Sequence, residues 1–122
     1  MTGLRRTLIS VAGAMGATGV GLAAWSAHRA GGDLLMTAAL FLLLHASTVA
    51  ALGLASRQRA ILAAASALAS GAILFSGDLA LRSTLNIKPW AMAAPTGGVI
   101  MIVGWLGLAA AGAFARIASE PT

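Results

Sequence analysis

Residues 34–55 read LLMTAALFLLLHASTVAALGLA, an apolar run of 22 residues with no charged side chain and one histidine, His45. A helix rising about 1.5 Å per residue needs about 20 such residues to cross a hydrocarbon core about 30 Å thick. This run meets the requirement, and so do three others, at about 7–27, 60–81 and 91–115. Together they predict an all-α membrane protein of four transmembrane helices, forming one domain over the 122 residues. Composition agrees: 59% of the chain is apolar and 9% charged, against about 25% charged in an ordinary soluble domain. Too little polar surface is available to cover so many apolar side chains, so their solvent is the bilayer.

The gaps between the runs are short and polar. His28-Arg29-Ala30-Gly31-Gly32-Asp33 holds a glycine pair expected to end the first helix, Ser56-Arg57-Gln58-Arg59 is a tight basic turn, and Arg82 to Trp90 carries Asn86, Lys88 and Pro89. Connections this short predict antiparallel neighbours and an up-down-up-down bundle. Arg5-Arg6, the apolar stretch and Ala24-Trp25-Ser26 also have the outline of a signal peptide, and the arginine pair that of a twin-arginine export signal. Both are read as coincidence and the segment as a retained first span.

Eight Lys and Arg against three acids give a net charge of +5. Basic residues are retained on the cytoplasmic side. Arg5, Arg6, Arg57, Arg59 and Arg116 share one side, against Arg29, Arg82 and Lys88 on the other. Both termini are therefore expected to be cytoplasmic. Because these charges sit in short gaps, they form no exposed basic face of the kind that reads nucleic acid.

Small residues recur four apart: Ala12 with Gly16, Ala17 with Gly21, Ala63 with Ala67 and Gly71, Ala94 with Gly98, and Gly107 with Ala111. In lipid such faces let helix backbones approach closely. The expectation is that packing within the chain uses them before dimerisation does. Trp25 and Trp90 lie near span ends and read as interfacial anchors, whereas Trp105 lies deeper, in the bundle or against lipid.

An ionisable side chain inside a span is costly, so each needs a partner. His45 lies about 16 Å deep by helix rise, as does Ser70 on the third span, and the two are expected within hydrogen-bonding reach. The simpler role for His45 is a neutral ring satisfied by a neighbouring hydroxyl or carbonyl, since one imidazole without a carboxylate is a poor proton relay. Asp78 has Arg82 four residues on, the spacing of an ion pair on one helix face. The functional alternative is an outer vestibule of His28, Asp78 and Arg82 beside Pro95-Thr96-Gly97-Gly98, where the fourth helix would loosen and free its carbonyls.

No cysteine is present, which removes disulfides, thiolate metal sites and cysteine nucleophiles. His28 and His45 differ in depth by roughly 16 Å, so one chain cannot clamp a haem between them. The hydroxyls offer no nucleophile, base and orienter set, and no glycine loop follows a strand to cradle phosphate. The expectation is a protein that is not an enzyme and holds no cofactor or metal.

Several of these residues form an ordered pattern: Ala24-Trp25-Ser26-Ala27-His28, Leu44-His45-Ala46, Leu74-Phe75-Ser76-Gly77, Pro95-Thr96-Gly97-Gly98 and Gly104-Trp105-Leu106. Across about residues 11–112 the chain resembles the YgdD-like family of small four-helix membrane proteins, long catalogued as a domain of unknown function. The resemblance implies a multi-pass protein of the bacterial inner membrane and supplies no reaction. The chain departs from the pattern at Trp25-Ser26, where the family tends to have Phe-Gly, and at Asp78, where a small neutral residue usually follows Ser-Gly. That acid therefore reads as a local adaptation.

With no soluble domain, no catalytic set and abundant small-residue faces, the leading expectation is a structural or accessory subunit of a larger membrane complex. Its partners are membrane lipids and other membrane subunits. The rival is a homo-oligomeric transporter or channel lined by His45 and Asp78. The polar residues on which either role would rest are His28, His45, Ser70, Ser76, Asp78, Arg82 and Thr96.

Overall fold

The computed structural model describes residues 2–30 and 32–114. It contains four helices, α1 (Gly3–Ala27), α2 (Asp33–Ala55), α3 (Arg59–Leu85) and α4 (Ala93–Phe114), and no strand among the described residues. Each corresponds to one predicted span, although α3 runs a turn farther than expected, to Leu85. Gly31, Ala115 and Arg116, which figured in the expected turn, span end and charge count, lie outside the described residues.

The helix ends have identifiable causes. Thr2 caps α1, its hydroxyl accepting from the Arg5 N–H at 3.4 Å. Asp33 in the first turn of α2 complements the positive end of that helix. Gly32 is the residue preceding α2, while α1 ends at His28, so this glycine begins a helix where the sequence reading had the pair ending one. It is fixed there by crowding: the Ser26 hydroxyl donates to the Gly32 carbonyl at 2.6 Å, and a Cβ on Gly32 would lie 2.7 Å from the Ser26 carbonyl oxygen. Asn86 adopts the left-handed conformation, φ 53°, and closes α3 with its N–H on the Leu81 carbonyl. Pro95 falls in the first turn of α4, where a missing N–H is no loss. The Pro95–Gly98 segment therefore starts a helix and does not interrupt one, which corrects the expectation of a loosened site.

Helices α1 and α2 pair in opposite senses, with Arg5 against Gly53 and Leu54 at one end, Gly16 against Ala46 in the middle, and Ser26 against Gly32 at the other. Helices α3 and α4 also pair in opposite senses: Gly107 meets Ala64, Gly104 meets Leu68, and Gly97 meets Gly71 and Phe75. Helix α3 packs on all three others, on α1 most lightly, whereas the backbones of α1 and α4 do not meet. The core lies where α1, α2 and α3 converge, around Leu8, Met15, Leu42, Val49, Leu62 and Leu68, with Met101 entering from α4.

The small residues divide between two uses. Gly16, Gly71 and Gly107 pack within the chain as expected, but in α4 the closest contacts are made by Gly97 and Gly104, and a Cβ on Gly98 would meet nothing within 4 Å. Ala17 and Gly21 face outward, and a Cβ on Gly21 would also meet nothing within 4 Å.

All four helices are long and apolar enough to span a membrane, yet only 22% of the α1 window and 17% of the α4 window is buried inside the protein. Val20, Leu40, Leu44, Val99, Ile102 and Leu106 lie on the outer surface. Helices apolar on every side, so little covered by protein, belong in hydrocarbon. The chain is a multi-pass membrane protein.

Candidate functional site

The polar groups inside the helices were the natural candidates for function. His45 is almost fully buried in α2, 2% exposed. Its Nδ1 lies 2.7 Å from the Phe41 carbonyl oxygen, one turn back, and its Nε2 lies 3.1 Å from the indole Nε1 of Trp105 in α4. A carbonyl can only accept and an indole N–H can only donate, so Nδ1 carries the proton and Nε2 accepts. Both ring nitrogens are satisfied, as the simpler role required. The partner is Trp105 and the Phe41 carbonyl, not Ser70, whose hydroxyl donates to the Ser66 carbonyl at 2.7 Å from an exposed position.

The ring also belongs to an aromatic series. Phe75 of α3 packs on Phe41 with centroids 4.8 Å apart, Phe41 is nearly parallel to His45 at 6.1 Å, and Trp105 meets His45 edge-on at 5.7 Å. The backbones of α2 and α4 are too far apart to touch. These side chains fill the space between them and tie α4 to a second helix.

Near the opposite end of α3 from Arg59, Asp78 is buried and lies 2.9 Å, Oδ2 to Nε, from Arg82. The contact is an ion pair without a directed hydrogen bond: neither carboxylate oxygen has a hydrogen-bond donor among the described residues. A terminal nitrogen of Arg82 reaches the Ala91 carbonyl at 3.4 Å, joining this pair to the start of α4. The i, i+4 pairing expected from sequence is present. The wider vestibule is not assembled, because His28 is exposed at the end of α1 with no side-chain bond to Asp78 or Arg82, and the Thr96 side chain makes no hydrogen bond among the described residues. The neighbouring Arg29 spans instead from α1 to α3, donating to the Ser83 carbonyl at 3.1 Å and lying 5.6 Å from the Trp25 ring centre. Ser76 is buried, 1% exposed, with its hydroxyl unpartnered among the described residues.

Two structural residues escaped the sequence reading. Arg5, taken as a membrane flank, is buried and donates from Nε to the Gly53 carbonyl at 2.8 Å and from a terminal nitrogen to the Leu54 carbonyl at 2.6 Å. Helix α2 has no basic residue in its own last turn, so Arg5 supplies from α1 the cation and donors that its negative end lacks. Replacing Arg5 with methionine is expected to cost about 1–2 kcal/mol. In a denaturant titration of the purified protein in detergent, Arg6→Met, at an exposed position, should leave the midpoint unchanged. Trp105 could have been found by depth: His45 lies twelve residues past the start of α2 (33 to 45), and Trp105 twelve past the start of α4 (93 to 105).

Residues 12–98 match the family described as a protein of unknown function, DUF423. The match runs from the third turn of α1 to the second turn of α4 and takes in His45, Ser76, Asp78 and Gly97. The chain belongs to this family. Its membership agrees with the resemblance to an uncharacterised group of small membrane proteins, though the YgdD-like label does not come with the match. Trp105, the partner of His45, lies beyond the segment that defines DUF423 here. No curated protein and no solved structure matches the chain.

Proposed function

We propose that this DUF423 protein is a structural or accessory subunit of a larger complex in the bacterial inner membrane, without catalytic activity of its own. The observation that carries the reading is the outward face of α1. Gly13, Ala17 and Gly21 follow one another along it four residues apart, all exposed, and a Cβ added to either glycine would meet nothing within 4 Å. In a bilayer, where lipid tails are as apolar as leucine, a small-residue face is more useful for backbone approach by another helix than for contact with lipid. The four helices run up and down, with Arg5, Arg6, Arg57 and Arg59 at the cytoplasmic end.

The transporter reading has less support, since both ring nitrogens of His45 are engaged, Nδ1 with the Phe41 carbonyl of its own helix and Nε2 with Trp105 of α4. Extraction of native membranes in mild detergent, followed by native electrophoresis and mass spectrometry, tests the choice. Co-migration at fixed stoichiometry with a larger assembly, lost on Ala17→Leu or Gly21→Leu, is the expected result. A stable monomer, or a band holding only copies of this chain, would overturn it.

A further inference from the structure

Between α1 and α3 lies a groove of about 540 Å³, within the range of about 300–1,000 Å³ typical of small-molecule sites. Leu42 of α2 contributes to its lining, Val11 to Leu22 form one wall and Ile73 to Leu81 the other. The lining is apolar except for Thr18 and Ser76. Both walls are membrane spans, so what reaches the groove from the side is dissolved in the bilayer.

Ser76 is the unusual member. Ser47, Thr48, Ser66, Ser70 and Thr84 each return their hydroxyl to the carbonyl four residues back. Ser76 is more deeply buried than any of these, yet its Oγ has no partner among the described residues. That Oγ is itself covered, so Ser76 must turn about χ1 to present its hydroxyl to the groove it lines, and a buried, unsatisfied donor gains by turning toward an occupant that brings an acceptor. Beyond Leu22 and Leu81, Arg29 crosses from one wall to the other through its bond to the Ser83 carbonyl, placing a cation over the end of the groove. Ser83 and Ser76 are seven residues apart, about 10 Å along the helix.

We infer that the groove holds one membrane phospholipid, with an acyl chain against the apolar walls, an ester carbonyl accepting from Ser76 and the phosphate facing Arg29. From the rim inward the groove presents a cation, a hydroxyl and hydrocarbon, and a phospholipid presents phosphate, ester and chain in the same order. An isoprenoid quinone would satisfy Ser76 but bring no anion to Arg29. The site is separate from the subunit reading, because an isolated monomer can retain lipid whether or not a partner is found.

The test is native mass spectrometry and lipid extraction of the protein purified in mild detergent. One phospholipid per chain is expected in the wild type. Gly77 is half-exposed on the groove, and a Cβ added to it would meet nothing within 4 Å, so Gly77→Phe should fill the groove and expel the lipid while leaving the unfolding midpoint intact. Ala80→Leu is a smaller filling change and should reduce retention in the same direction. Ser76→Ala should weaken retention about threefold to tenfold, the range given by one neutral hydrogen bond. Absence of stoichiometric phospholipid in the wild type, retention in both filled variants equal to that of the wild type, or recovery of a quinone in its place would overturn the assignment.

Discussion

Replacing Gly97 with leucine should detach α4 from α3 and cost about 3 kcal/mol or more, the upper end of what overpacking does to a close contact. A Cβ at Gly97 would lie 2.6 Å from the Phe75 nitrogen and 2.7 Å from the Gly71 carbonyl oxygen. Both are backbone atoms of a helix, so no rotamer change relieves the collision and the two axes must move apart. Alanine at Gly97 should cost roughly 1–3 kcal/mol by the same clash. Alanine at Gly98, one residue on, meets nothing within 4 Å and should be neutral or slightly stabilising, because glycine is the poorer helix former by about 1 kcal/mol. The measurement is a denaturant titration in detergent followed by tryptophan fluorescence in a Trp25→Phe, Trp90→Phe background, which leaves Trp105, on the helix expected to leave, as the emitter. Equal midpoints for the Gly97 and Gly98 variants would mean that close approach of α3 and α4 contributes nothing to holding α4.

The contrast between Gly97 and Gly98 marks the limit of what sequence disclosed. Span number, position and apolar character follow from length and composition, because in a bilayer every backbone polar group must be satisfied internally and a helix is the direct solution. The i, i+4 spacing of Asp78 and Arg82 likewise predicted their contact, since helix geometry alone brings them together. Azimuth was harder. With helices apolar all round, no polar face indicates which side of α4 meets protein, so spacing four apart selected Ala94 and Gly98 while the fold uses Gly97, Met101 and Gly104. The same ambiguity placed Ser70 beside His45, although α3 extends to Leu85 and Ser70 turns outward. Arg5 was hidden for a different reason: its role depends on α2 ending without a basic residue of its own, which becomes evident only when the two helices are paired.

Removing the His45 side chain should be the most damaging change among the polar residues, at about 2–3 kcal/mol, combining a cavity at mid-depth with a Trp105 N–H left without an acceptor. Trp105→Phe keeps most of the packing and removes the donor, and should cost about 0.6–1.7 kcal/mol, between the average and the largest value for hydrogen bonds between membrane helices. Because the two side chains act through one bond, the double variant should be less damaged than the sum, with a coupling of similar size. Nitrogen-15 spectroscopy gives an independent reading: the protein should show Nδ1 protonated and Nε2 bare, since the Phe41 carbonyl needs a donor and the indole an acceptor. The opposite tautomer would set N–H against N–H and remove the basis for the bond. Zero coupling between His45 and Trp105 would likewise free His45 from its role as a helix tie and return it to the transporter reading. With both results as expected, adding a second proton to the ring would force Nε2 to donate toward Trp105, so the tie between α2 and α4 is incompatible with an imidazole that carries protons across the membrane.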